Sequence, residues 1–142
     1  MPASGVDIAP VPEPELRQLF ALAKRVFSDA PGWSDERVLE TLKRDVVFIA
    51  RELRVPAGYV ALRPEGRATI VVEQMLVAPG HERRGIGHRL LEHAEDYAIA
   101  KQARKLRIVV ESDNWPAQRF YSRSGFVPVA EELFELGLPR AG

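Results

Sequence analysis

The stretch from residue 72 to residue 87 reads VEQMLVAPGHERRGIG, and it carries the strongest structural signal in the chain. A run rich in β-branched residues, 68–77, ends within its first half and predicts a buried strand. A proline and a polar loop follow, and the chain then enters a helix at Gly85 and Gly87. Unpartnered N–H groups at a helix start, together with the helix dipole, can bind an anion such as pyrophosphate. A tight turn into a packed helix is the alternative, and this stretch alone leaves both open.

Hydrophobic periodicity extends the pattern to both sides of this stretch. Apolar residues at helical spacing predict helices at residues 15–30, from the N-cap Ser34 onwards, at 85–103 and at 114–124. Runs rich in β-branched residues predict strands near Val6 and Ile8 and at residues 46–50, 58–63, 68–77, 106–110 and within 126–136. Turns at 54–58 and 64–66 join the three strands from 46 to 77 into an antiparallel meander.

The order of these elements predicts one α+β domain over residues 1–142. The passage from strand to helix to strand through residues 68–110 requires a parallel pair with a crossover helix, so the sheet is mixed but mostly antiparallel. A length of 142 residues suits a single domain. The N-terminus lacks the pattern of a secretory signal, and the apolar runs are too short to span a bilayer, so we expect a cytoplasmic protein.

Composition narrows the chemistry. The chain has no cysteine, which excludes a disulfide framework, a thiolate metal site and a cysteine nucleophile. Its 20 basic and 20 acidic residues give a formal net charge of zero, so neither nucleic acid nor an anionic membrane is an expected partner. The three histidines do not have the spacing of metal ligands, and we expect no metal.

Two motifs resemble those of the GNAT superfamily of N-acetyltransferases. Val77-x-Pro79, followed by RRGIG at 83–87 and by Leu90 and Leu91, resembles the family's acetyl-CoA-binding motif. NWPAQRFYSRSGF at 114–126 is similar to its second motif. Because both occur in order, the chain is identified as a member over residues 72–126. The resemblance implies six to seven strands, about four helices and a splay between the two central parallel strands.

The resemblance also implies acetyl-CoA as the co-substrate. Backbone amides would hold its pyrophosphate, and these belong to Arg83, Arg84, Gly85, Ile86, Gly87 and His88. Main-chain groups of Met75, Leu76 and Val77 would bind pantetheine, and one of these amides would polarise the thioester carbonyl.

Four further residues are expected near the cofactor, each with a different role. Arg123 lies where family members often carry a cation near the CoA phosphates, and Arg119 precedes it by one turn. Glu82, also placed at the cofactor, departs from the family's usual Gln or Arg. A carboxylate near a pyrophosphate is unhelpful unless it points to solvent, but we expect binding to survive because most contacts there use main-chain N–H and Arg83 and Arg84 compensate. Asn114 predicts a helix cap, with a contact to cofactor or a bridging water as the alternative.

Proton transfer needs an acid and a base. Tyr121 matches the family tyrosine that often protonates or hydrogen-bonds the leaving thiolate, and the alternative is an aromatic ring packed beneath its helix. Glu73 is the leading candidate for the base, acting directly or through water, and the alternative is an exposed charge near a strand end. Glu111 is the second choice for the base.

The predicted function is acetyl transfer from acetyl-CoA to a primary amine, by direct attack in a ternary complex with a small-molecule acceptor. Acetylation of a protein N-terminus or lysine is one alternative, and a catalytically silent acyl-CoA-binding regulatory module is another. Many family members dimerise, so a homodimer is also open.

Four further side-chain groups have predicted roles. His81 would add positive charge at the mouth of the anion site. Trp33 would line the acceptor pocket, whereas Trp115 is expected to pack. The basic cluster formed by Lys101, Arg104, Lys105 and Arg107 is interpreted as a solvated helix end.

Overall fold

The computed structural model describes residues 5–29, 33–81 and 85–139. The elements follow in the order β1 (Val6–Pro10), a 3₁₀ turn (Glu13–Glu15), α1 (Leu16–Phe27), α2 (Asp35–Arg44), β2 (Val46–Glu52), β3 (Val55–Glu65), β4 (Thr69–Val77), α3 (Ile86–Ala100), β5 (Lys105–Val109), α4 (Trp115–Arg123), β6 (Val127–Ala130) and β7 (Leu133–Gly137). None of the helices in the described ranges combines the length and the hydropathy that crossing a bilayer requires.

The strands form a mixed sheet in the order β1-β2-β3-β4-β5-β7-β6. β1 and β2 pair antiparallel, as do β5 and β7, and β6 and β7. β4 and β5 pair parallel, with Thr69 opposite Lys105 and Val71 opposite Arg107. This ladder joins the first three residues of each strand. The predicted α+β fold, with a mostly antiparallel sheet and one parallel pair, is confirmed.

The first of two compact units comprises residues 1–61 and 74–91. In its core, α1 and α2 pack against residues of β2, β3 and the end of β4; the buried members are Leu19, Leu22, Ala23, Val38, Leu42, Val47, Ile49, Tyr59, Ala61, Leu76 and Ala78. α2 begins where predicted, because Oγ of Ser34 accepts a hydrogen bond from N–H of Arg37 at 3.3 Å. Full burial of one large aliphatic side chain contributes about 1.5–3 kcal/mol.

The second unit comprises residues 62–73 and 92–142. Leu106 and Ile108 of β5 are buried, together with Phe134 of β7. The alternate β5 residues Lys105, Arg107 and Val109 lie on the opposite face, because successive strand residues point to opposite sides. α4 begins at its Asn114 cap and ends before Gly125, whose φ of +100° suits glycine.

Three predicted boundaries were wrong. The turn expected at 54–58 lies at Leu53 and Arg54, which have φ of 52° and 71°, and β3 starts immediately afterwards at Val55. Such a two-residue turn joins twisted strands well, but it normally contains Asn or Gly, so Leu53 and Arg54 carry no local signal for it. The helix expected at 85–103 ends at Ala100, because Gln102 adopts φ 64°. The helix expected to continue to residue 30 ends at Phe27, and Ala30, Pro31 and Gly32 lie outside the described residues.

Candidate active site

The end of β4 lies against Gly58 of β3. A Cβ atom built on Gly58 would stand 2.5 Å from the carbonyl oxygen of Leu76 and 3.3 Å from Cα of Val77. Only glycine therefore allows β3 to approach the backbone that is expected to bind pantetheine. N–H of Ala78 also donates to the carbonyl of Ala57 at 2.7 Å, which fixes the strand end.

Gly58→Ala is expected to destabilise the chain by about 1–3 kcal/mol, the usual cost of overpacking. The added methyl group meets backbone rather than a flexible side chain, so β4 must move. Urea unfolding measures the change. Gly137→Ala is the matched control, because a Cβ there meets nothing within 4 Å. Equal stabilities of the two variants would show that the close approach at Gly58 has no energetic importance.

Two consecutive residues of β4, Glu73 and Gln74, are hydrogen-bonded by side chains of β3. Arg63 of β3 donates from Nε to Oε1 of Glu73 at 2.5 Å, and the hydroxyl of Tyr59 donates to Oε1 of Gln74 at 2.7 Å. Arg63 and Tyr59 share one face of β3 because they are an even number of residues apart, whereas their partners are consecutive. The two contacts connect this part of β4 to β3 through side chains as well as through the sheet.

At the start of α3, Gly85 is exposed and Ile86 is buried. N–H of Arg89 donates to the carbonyl of Gly85 at 3.0 Å and forms the first turn, so the preceding amides lack partners within the helix. Gly85 has φ of +78°, and a Cβ there would meet nothing within 4 Å. Gly87 is half-buried and His88 is exposed. The described part of this helix start therefore offers free N–H groups and room for an anion.

His81, the described titratable residue just before this helix start, already has a partner. Nδ1 of His81 lies 2.8 Å from Oε1 of Glu52, so the imidazole that was expected to add positive charge is paired with a carboxylate. The predicted site residues Glu82, Arg83 and Arg84 lie outside the described residues. Their expected roles stay predictions.

Tyr121 lies on the buried side of α4 and is 5% exposed. Its ring makes edge contacts with Phe120 and Phe126, at centroid distances of 5.2 and 5.4 Å. Within the described ranges no group hydrogen-bonds its hydroxyl. Burial raises the pKa of Tyr121 well above the usual value for a phenol, so the hydroxyl stays protonated and can donate.

Asn114 caps α4, since its Oδ1 accepts from N–H of Ala117 at 3.3 Å, and the cap prediction is confirmed.

Along the exposed side of α4 runs a groove of about 380 Å³, lined by Trp115, Pro116, Arg119, Phe120 and Arg123. We call these five residues the α4 groove. Neither arginine of the groove forms an ion pair or hydrogen bond with another described residue. Trp115 is 72% exposed, so the expectation that it packs was wrong.

The two candidate bases differ in their surroundings. The side chain of Glu73 is 27% exposed and forms an ion pair with Arg63. Glu111 is exposed, and its carbonyl accepts hydrogen bonds from N–H of Asn114 and Nε2 of Gln118 at the start of α4. The residue with an organised carboxylate is therefore Glu73.

Trp33 packs partly against the core of the first unit and donates Nε1–H to Oδ1 of Asp35 at 2.6 Å. Its predicted role in an acceptor pocket stays a prediction. Hydrogen bonds from Lys24 and from Trp33 hold the pKa of Asp35 below its usual value. Trp33 is thus anchored at the start of α2.

Sequence reasoning missed Gly58, Tyr59, Arg63 and Gln74. Gly58 had been placed in a turn, and no local motif marks the other three. Their importance depends on which residues of β3 lie opposite which residues of β4, and that register is set by the pairing of whole strands rather than by a local motif.

Comparison with known proteins places these features in a family. Residues 14–126 match the family model described as "Acetyltransferase (GNAT) family". Streptothricin acetyltransferase from Streptomyces lavendulae is 42% identical over 71 residues, which is 49% of this chain and 38% of that protein. The chain spans about half or less of the length of the first curated relatives it matches.

Solved structures show the same fold. The ribosomal-protein-S18-alanine N-acetyltransferase from Escherichia coli superposes with a TM-score of 0.82 at 20% identity, covering 96% of each chain. The PaiA N-acetyltransferase from Thermoplasma acidophilum, in complex with coenzyme A, gives 0.77 at 18% identity over 93% of this chain and 98% of that one. At such identities the likeness concerns the fold alone.

Proposed function

Because the chain belongs to the GNAT family of acetyltransferases, we propose that it transfers the acetyl group of acetyl-CoA to a primary amine. The observation that carries the catalytic part is Tyr121, whose buried ring holds a protonated hydroxyl that no other described residue uses. A silent binding module has no need of such a donor.

The proposed site for CoA begins at the start of α3. Backbone amides of Gly85, Ile86, Gly87 and His88 would hold the pyrophosphate, and the backbone amides of Glu82, Arg83 and Arg84 are proposed to contribute to the same site. Main-chain groups of Met75, Leu76 and Val77 would bind pantetheine, and Asn114 would contact the cofactor through a group that its cap leaves free. Acetyl-CoA supplies the activated acyl group as a thioester. The space beside Gly85 supports this fit.

The α4 groove is the proposed position of the phosphorylated nucleotide end of CoA. Arg119 and Arg123 offer two guanidinium groups without ion-pair partners among the described residues. An arginine can bind a phosphate through two parallel hydrogen bonds. The exposed indole of Trp115 offers a flat apolar surface beside them.

CoA is expected to raise the melting temperature more than dephospho-CoA does, because only CoA carries the 3′-phosphate. Arg123→Gln should remove most of this difference, since charge-assisted hydrogen bonds contribute about 1.5–3 kcal/mol. Thermal unfolding at matched ligand concentrations measures both effects. Arg104→Gln, at an exposed arginine outside the groove, is the control. Equal shifts by the two ligands would remove the arginines from the site.

The proposed chemistry uses two side chains. The amine nitrogen attacks the thioester carbonyl, the carbon–sulfur bond breaks, and the nitrogen loses a proton to Glu73. Tyr121 donates a proton to the departing thiolate and is reprotonated from solvent, while Glu73 releases the proton it has taken to solvent. The products are an amide and the free thiol of CoA, so the protons balance.

The acceptor is proposed to be a small-molecule amine. The supporting observation is the sequence similarity to streptothricin acetyltransferase, over about half of this chain. The test compares thiol release from acetyl-CoA with amino sugars, polyamines, an unblocked peptide and a lysine peptide. The proposal predicts the highest kcat/KM with a small amine. Faster transfer to either peptide would favour the protein acceptor, and no release with any amine would favour a silent module.

A further inference from the structure

One face of the second unit carries a continuous row of charged side chains. Six residues on four strands take part, and we call them the charged face: Arg63 and Glu65 on β3, Glu73 on β4, Lys105 and Arg107 on β5, and Glu135 on β7. Their three positive and three negative charges cancel. Lys105 and Arg107, expected at a solvated helix end, lie instead in a strand, and that expectation was wrong.

The ion pairs of the charged face are connected to one another through shared residues. Arg107 bonds Glu65 and Glu135, with Nη2 of Arg107 2.7 Å from Oε2 of Glu135. The hydrogen bond from Arg107 holds the pKa of the Glu135 carboxyl below its usual value. Arg63 belongs to the same series of ion pairs, because its Nη2 lies 3.8 Å from Oε2 of Glu65. Nε of Arg63 then reaches Glu73 at 2.5 Å.

Arg63 is the one side chain among the described residues that bonds the Glu73 carboxylate, and it holds a single oxygen, Oε1. The second oxygen, Oε2, is left to accept a proton. The pair is still partly exposed, with 33% of the Arg63 side chain and 27% of the Glu73 side chain accessible to solvent, so solvent screening keeps its contribution to stability small, about 1 kcal/mol. The geometry is therefore better explained by orientation of the carboxylate than by stabilisation of the fold.

We propose that Arg63 is a positioning residue that fixes Glu73 with Oε2 directed at the acceptor amine. This rests on the proposed function, in which Glu73 takes the proton that the nitrogen loses. Arg63 itself exchanges no proton. Loss of orientation costs rate steeply, since a misplacement of about 1 Å can lower it about a hundredfold.

The experiment compares Arg63→Met, Arg63→Lys and Glu73→Gln. We expect Arg63→Met to lower kcat at least about tenfold, within the range that general base catalysis supplies. Arg63→Lys should recover part of the loss because it keeps the charge but not the fixed fork. The affinity for CoA, measured by calorimetry, should stay unchanged in all three variants. Arg107→Met is the matched control, since it removes a guanidinium of the same charged face that does not touch Glu73.

A double-mutant cycle gives the decisive readout. If Arg63 acts through Glu73, Arg63→Met has less than about a twofold effect on kcat in the Glu73→Gln background, because interacting residues are not additive. A full loss in that background overturns the proposal, as does an equal loss of kcat in Arg107→Met. Turnover that does not depend on Glu73 also overturns it while leaving acetyl transfer intact. Absence of turnover in the wild-type chain overturns the proposed function as well.

Discussion

Gly87→Val is expected to weaken CoA binding at least tenfold, about 1.4 kcal/mol, without destabilising the chain. Gly87 lies in the first turn of α3, where the pyrophosphate is proposed to approach the main chain. A branched side chain there would keep a phosphate from reaching the free amides. The helix itself should tolerate the change, because valine has a higher helix propensity than glycine.

Calorimetry with CoA and thermal unfolding of the free protein separate the two effects. Ala100→Val is the control, because it adds a branched side chain to the exposed last residue of the same helix. We expect wild-type affinity in the control and an unchanged or higher melting temperature in Gly87→Val. Unchanged CoA affinity in Gly87→Val would remove the helix start from the binding site.

Tyr121→Phe is expected to lower kcat at least tenfold, equivalent to about 1.4 kcal/mol in the activation barrier. The substitution keeps the ring contacts with Phe120 and Phe126 and removes only the hydroxyl. Because a hydrogen bond made only in the transition state is lost, kcat and kcat/KM should fall together. CoA affinity should stay the same.

The melting temperature distinguishes this role from a structural one. The Tyr121 hydroxyl has no protein partner in the described part of the chain, so its removal should leave stability unchanged. Tyr59→Phe provides the contrast, since that hydroxyl is buried and bonded to Gln74, and its loss should cost about 1 kcal/mol. Full activity in Tyr121→Phe would make the tyrosine a core aromatic. A loss of stability like that of Tyr59→Phe would show a structural hydrogen bond.

Element type and order could be predicted because each element has its own periodicity or cap. The apolar stripe of α1, the Ser34 and Asn114 caps and Gly125 after α4 all act within a few residues of sequence. The two-residue turn at Leu53 and Arg54 could not be predicted, because the tertiary pairing of β2 and β3 places ordinary residues at positive φ. Local rules assign such positions to Asn or Gly.

The candidate acid was predictable, but the surroundings of the candidate base were not. Tyr121 stands in a motif with fixed spacing, whereas the pair formed by Arg63 and Glu73 depends on register. That register is set by the pairing of two whole strands, and no local motif signals it. The prediction that Trp115 packs was wrong for a different reason. An aromatic residue beside a helix cap is as compatible with a ligand groove as with a core, and only its exposure decides.

The most direct test of acetyl transfer follows the acetyl group itself. The purified chain is incubated with acetyl-CoA labelled in the acetyl carbons and with a small-molecule cell extract, and the products are identified by mass spectrometry. We predict a labelled amide in an amount equal to the free CoA thiol, formed at least tenfold more slowly by Tyr121→Phe. Thiol release without a labelled amide, or no release by the wild-type chain, would contradict the proposed function.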